Sequence, residues 1–168
     1  MVWKSGANSP LGYPVPGNVD ATAVVAVGTT AKFYDDTQGE GEFIYLPGVA
    51  FTVAGDAVEY DLAPGAQVTV RHSNATASNS GRSVAFATAA IVAGTWGWYQ
   101  IGGLVIANTV AGTVAGAAMG TATVGSIGNT VDAGDQILNA RISTAVGTPA
   151  AGKSYATINR PFVQGQIT

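Results

Sequence analysis

Helical periodicity is sustained nowhere in this chain. Apolar residues alternate in short runs, and Gly, Pro or Asp interrupts each run before it reaches the length of a helix. With 23 glycines and seven prolines in 168 residues, the regular element that fits is the short β-strand. Segments of strand length run over Ala21–Val27, Ala31–Tyr34, Glu42–Leu46, Val49–Val53, Ala57–Leu62, Gln67–His72, Val84–Val92, Gly120–Gly128, Ile137–Val146 and Lys153–Asn159, of which Val84–Val92 fits a strand better than the short buried helix it also allows. Between them lie an acidic turn at 35–41, a Pro-Gly β-turn at 63–66, a polar loop at 73–82 and two Ala-Gly-Asp turns ending at Asp56 and Asp135. The pattern predicts an all-β fold, a single β-sandwich or barrel-like domain of about ten short strands over residues 19–168. Residues 1–18, with Pro10, Pro14 and Pro16, read as an extended Pro/Gly-rich arm.

The core is seeded by Trp96-Gly-Trp-Tyr-Gln-Ile-Gly-Gly-Leu-Val-Ile-Ala107, read as an aromatic strand, a Gly-Gly break and an aliphatic strand that together make a hairpin. Alternation across a pleat puts Trp96, Trp98 and Gln100 on one face and Gly97, Tyr99 and Ile101 on the other. Large apolar groups on both faces fit a central strand, or a strand with one face on the core and the other on another subunit. The segment echoes Phe43-Ile-Tyr-Leu-Pro-Gly-Val-Ala-Phe51, pairing Phe43 with Trp98 and Gly48 with Gly103. Either a duplicated hairpin or shared turn chemistry explains the echo.

Composition narrows the function. A chain of this length buries a core without staples, and the absence of cysteine excludes disulfide scaffolds and thiolate metal sites. Net charge is −3 and the isoelectric point about 4.8, which argues against nucleic-acid binding. Charged residues make up 10%, well below the usual ~25%. Seven of the ten acids fall between Asp35 and Asp61, and no charge occurs from Ser83 through Val131. Such an uncharged half is either covered by other chains or is a solvated Thr/Ser/Gly surface. It is not a membrane span, because Leu104–Gly120 contains Asn108, Thr109, Thr113 and repeated glycines. Met1-Val-Trp-Lys-Ser-Gly lacks the continuous apolar region of a secretory signal.

Three motifs invite chemistry, and the surrounding residues answer each. Gly147-Thr-Pro-Ala-Ala-Gly-Lys-Ser154 matches the phosphate-binding loop, yet that loop works only when a helix starts at its Lys. The residues after Lys153 alternate like a strand, so the segment reads as a hairpin loop. His72 beside Ser73 lacks the strained turn of a nucleophile and reads as a surface histidine at a strand end. The acidic run from Asp35 to Glu42 lacks calcium-loop spacing and reads as a plain acidic loop. Asn74-Ala-Thr76 fits the glycosylation triplet, which matters only in a secreted chain. No catalytic, cofactor-binding or metal-ligating residue is expected.

Gly41-Glu-Phe-Ile-Tyr-Leu-Pro-Gly-Val-Ala50, Ala54-Gly-Asp-Ala-Val-Glu-Tyr-Asp61, Gly97-Trp-Tyr-Gln-Ile-Gly-Gly103, Ala133-Gly-Asp135 and Ile158-Asn-Arg-Pro-Phe162 together resemble the small capsid decoration, or cement, proteins of tailed bacteriophages. The similarity spans roughly residues 19–163 and departs in the arm and in the Gly/Ala/Thr run at 107–125. It implies a homotrimeric β-rich knob on the outer surface of the virion, made in the host bacterial cytoplasm and clamping neighbouring major capsid subunits, without enzymatic activity. Candidate contacts to the shell or to sister subunits are Trp3, Leu11, Tyr13 and Val15 on the arm and Trp96, Trp98 and Tyr99 on the central segment. An anchored arm either docks on a partner or folds back onto its own domain. Two other classes stay open: a head-fibre or tail component binding host glycans, which Trp96, Trp98 and Tyr99 exposed together would favour, and a hydrolase, which needs His72 and an acid converging in a pocket.

Overall fold

The computed structural model describes residues 2–5, 12–63, 68–71, 80–129 and 133–165. Across these residues the chain is all-β. Its twelve strands are β1 (Lys4–Ser5), β2 (Val19–Asp20), β3 (Thr30–Asp35), β4 (Gly39–Pro47), β5 (Ala57–Asp61), β6 (Val68–Arg71), β7 (Ser83–Ala87), β8 (Trp96–Asn108), β9 (Ala118–Thr121), β10 (Ile127–Asn129), β11 (Gln136–Ile142) and β12 (Lys153–Val163). They form one open antiparallel sheet in the order β1-β3-β4-β8-β7-β12-β11-β9-β10, with β2 on β8 and the β5–β6 pair on β7.

β8 is the hub, and it corrects the hairpin expected at 96–107. The Gly-Gly pair does not turn the chain; the strand runs through for 13 residues. Its first half pairs with β4, from Pro47↔Trp96 to Phe43↔Gln100, and its second half pairs with β12, from Asn159↔Gly102 to Lys153↔Asn108. The register slips by one residue between Phe43 and Glu42, which marks a bulge in β8 at the glycines. Gly103 has φ of +95°, and a Cβ there would lie 2.6 Å from the Glu40 carbonyl oxygen. Glycine is therefore required by backbone crowding, and the bulge falls where the β4 pairing ends and the β12 pairing begins along β8, with Gly102 in both.

Alternation along β8 distributes its side chains to separate cores. Trp98 enters an aromatic cluster with Trp3, Phe33, Phe43 and Tyr45. Tyr99 and Ile101 enter an aliphatic cluster with Ile44, Leu46, Val58 and Ile91. Beyond the bulge, Val105 and Ala107 join Phe86, Met119, Ile127, Ile137 and Ile142. The echo of Phe43–Phe51 in Trp98–Ile106 ends where the paths diverge, since Gly48–Phe51 leaves the sheet while Gly103–Ile106 continues in it.

The described part of the arm folds back onto its own domain. β1 pairs with β3, and Trp3 meets Phe43 edge-on with ring centroids 4.7 Å apart. Trp98 Nε1 donates to the Pro14 carbonyl at 2.6 Å, and Gly17 N donates to Thr88 Oγ1 at 3.1 Å. A tethered tryptophan beside an aromatic wall buries its ring without the entropy loss of joining a second molecule.

Four expected strands differ most, and a fifth, Ile137–Val146, is strand only as far as Ile142. Ala21–Val27 forms successive turns over Tyr45, whose hydroxyl accepts from Val24 N at 3.4 Å and donates to Asp20 Oδ2 at 2.6 Å. Val49–Val53 is a turn, because Gly48 N and Val49 N bond to the carbonyls of Thr95 and Ile91 instead of to a strand. Val84–Val92 is strand only as far as Ala87, and Gly120–Gly128 is the turn between β9 and β10 with their facing residues. In each case a tertiary contact outweighs weak local β-propensity. The Pro-Gly turn falls mostly on 64–67, and the polar loop mostly on 72–79, outside the described residues.

Candidate functional site

The side chains expected at an interface are largely inside the protein. Trp98 and Tyr99 are fully buried and Trp3 is 4% exposed, so as surface contacts they are corrected to core residues. Tyr13, Val15 and Trp96 are half-buried against the aromatic cluster. Leu11 and His72 lie outside the described residues. The uncharged half has a structural reason as well: β7 and β8 run through the sheet's centre with most side chains buried, where charge is costly.

The acidic residues of 35–61 are occupied by structural roles. Asp36 pairs with Lys4, Glu40 with Lys32 at 2.8 Å and Glu42 with Arg160 at 2.5 Å. Asp35 accepts backbone N–H groups from Val2 (2.9 Å), Thr37 (2.9 Å) and Gln38 (3.2 Å). Burial works against its charge, but these donors outweigh burial and hold the carboxyl below its ordinary value. Burial and the bond to Asp20 push the Tyr45 hydroxyl up to about 12. Among the described residues, no group of three His, Cys, Asp or Glu side chains is placed to hold a metal ion.

Lys153 begins β12, and no helix follows it. Gly147 N donates to the Lys153 carbonyl at 2.9 Å and Lys153 N to the Ala150 carbonyl at 3.0 Å, closing the hairpin loop that the sequence predicts. The ammonium reaches away from the loop. It donates to Asn108 Oδ1 at 2.5 Å and to the Ala54 carbonyl at 3.0 Å. Asn108 Nδ2 in turn donates to Asp56 Oδ1 at 2.8 Å, and Asp56 Oδ2 accepts from Val53 N at 3.0 Å. This chain of bonds ties the 48–56 turn to β8 and β12.

That turn is the feature the sequence reading missed. Phe51 is 82% exposed at its tip, flanked by Val53 at 49% and, from the facing 91–95 loop, Val92 at 39%. Thr52 is buried and its hydroxyl donates to the Val49 carbonyl at 2.7 Å. Gly48 is held so close to the facing loop that a Cβ would lie 2.2 Å from the Val92 carbonyl oxygen. Beside the turn opens an apolar cleft of about 240 Å³ whose walls include Ala54, Gly55, Phe86, Val105, Pro149 and Ala150. One signal was legible: no charge lies between Glu42 and Asp56, so an aromatic ring there has no charged neighbour in sequence.

No family model, curated protein or solved structure matches this chain. Among the described residues no helix is long and apolar enough to cross a membrane.

Proposed function

We propose that this protein is a capsid decoration protein of a tailed bacteriophage, a homotrimer seated on the outer surface of the assembled shell and bridging neighbouring major capsid subunits. The observation that carries the reading is where the resembling segments fall. Four of the five resembling segments, residues 41–50, 54–61, 97–103 and 158–162, lie on β4, β5, β8 and β12 and in the turn joined to them; the fifth, 133–135, lies just before β11. β8 pairs directly with β4 and β12 and reaches β5 through β7. Four of the five segments therefore gather in one contiguous frame at the sheet's centre.

Cementing requires no bond making. Several weak contacts to neighbouring subunits multiply through effective concentration, and a protein that binds only the assembled shell stabilises it by mass action. The glycan-binding alternative rested on a platform of Trp96, Trp98 and Tyr99, and with two of these rings inside the core that platform does not form. The test is to heat shells with and without the added protein. Decorated shells break up at a higher temperature and show projecting trimeric density in micrographs; shells that neither bind the protein nor gain heat resistance from it overturn the proposal.

A further inference from the structure

Phe51 sits where folding alone would not place it. Its backbone has φ of 66°, a left-handed conformation that side chains bearing a Cβ adopt against a steric penalty, and its ring is 82% exposed. The turn beneath it is rigid: Thr52 locks it from within, and the Lys153–Asn108–Asp56 chain of hydrogen bonds fixes its far side. A strained, fixed turn that displays an apolar ring is a preorganised prong, because a partner gains contact area without the cost of ordering a loop.

The cleft beside the prong has the complementary character. Its volume is about 240 Å³ and its walls are mainly apolar, and Phe51 is not among them. Cavities of about 150 Å³ lined by aliphatic side chains take up benzene, so this cleft has room for a phenyl ring. Trp3 also lines it and carries a buried Nε1 donor with no acceptor among the described residues.

From this match we infer that Phe51 of one copy seats in the cleft of a second copy of the same chain. Prong and walls both derive mainly from charge-free stretches, 43–55 and 83–131, so the contact desolvates few charges. Lys153 is the exception at the cleft, and its ammonium is already held by Ala54 and Asn108. Val53, two residues on, and Val92, on the loop that faces Gly48, are exposed apolar side chains as well. Unlike patches that meet head to tail close as a ring when the rotation between copies allows, the arrangement a trimer needs. The inference rests on the trimer proposed above for its biological use, but its test requires no capsid.

Sedimentation of the full chain at micromolar concentration gives three times 16.8 kDa for the wild type. Phe51→Asn removes the ring and places a residue that accepts left-handed backbone, so the variant stays folded, with a wild-type circular dichroism spectrum. Its association weakens about 30-fold or more, the effect of losing an aromatic hot spot. Ala150→Trp, which plugs the cleft from an exposed position, has the same effect. Mixing the two variants restores one intact contact, the Phe51 of one with the open cleft of the other, and yields dimers that neither forms alone. Folded variants that associate like the wild type, a mixture that stays monomeric, or a monomeric wild type overturn the inference. Wild-type trimers that ignore shells overturn the decoration reading and leave this contact standing.

Discussion

Replacing Trp98 with Ala tests the most connected side chain of the fold. Its ring packs against Phe33 and Tyr45 at 5.4 and 5.3 Å between centroids, both edge-on, and against Tyr13 at 6.0 Å. Emptying such a site costs roughly 3–5 kcal/mol in transfer and cavity terms. Losing the Nε1 bond to Pro14 adds about 1 kcal/mol at most, since Pro14 is only half-buried and water can replace the donor. Against a total stability of about 5–15 kcal/mol, Trp98→Ala removes roughly a fifth or more. Urea unfolding followed by circular dichroism measures it. Trp98→Phe, which keeps most of the ring and drops the donor, loses about 1–2 kcal/mol. Because Trp98 anchors the arm, deleting residues 1–17 destabilises the isolated protein, and combining the deletion with Trp98→Ala costs less than the two changes summed. A loss below about 2 kcal/mol for Trp98→Ala, or full additivity with the arm deletion, refutes the packing argument.

Other perturbations probe separate features. Gly103→Ala forces a Cβ to 2.6 Å from the Glu40 carbonyl and strains φ, so it destabilises by about 2 kcal/mol or more, measured by the same unfolding assay. Lys153→Ala frees the 48–56 turn at a cost of about 1 kcal/mol and leaves nucleotide binding unaffected; tight, magnesium-dependent ATP binding that this change abolishes, seen by calorimetry, contradicts the hairpin-loop assignment. Asp35 titrates below its ordinary value of 3.8 when folded, so its contribution to stability is present above that pH and is lost as pH falls through the lower folded value. The stability gap between the wild type and Asp35→Asn therefore narrows between pH 7 and pH 3, and a constant gap shows that the three backbone donors do not favour the charged form.

Trp98 and Tyr99 made β8 legible, because large apolar groups on alternate positions require cores on both sides, and the structure supplies them. The turns were legible where Gly must take positive φ, as in the two Ala-Gly-Asp turns at Gly55 and Gly134. Whether Gly102-Gly103 reverses the chain or bulges it depends on which strands approach, and β12, the partner of the second half, lies some fifty residues downstream. The 48–56 turn was hidden for a related reason. Val49, Phe51 and Val53 alternate like a strand, but Gly48 and Val49 give their N–H groups to the 91–95 loop, a contact no local pattern records. The arm's disposition depended on Trp3 finding Phe43, and its composition alone allowed either a foreign surface or its own domain. Of the expected interface residues, the burial of Trp98 and Tyr99 was implicit in their alternation, while the exposure of Phe51 was not.

The most direct test of the decoration reading compares binding of the purified protein to assembled shells and to free major capsid subunits of the same phage. Because the protein bridges subunits, sedimentation of the mixtures should show saturable binding to shells and none to free subunits at equal subunit concentration. Equal binding to free subunits, or no binding to either, contradicts it.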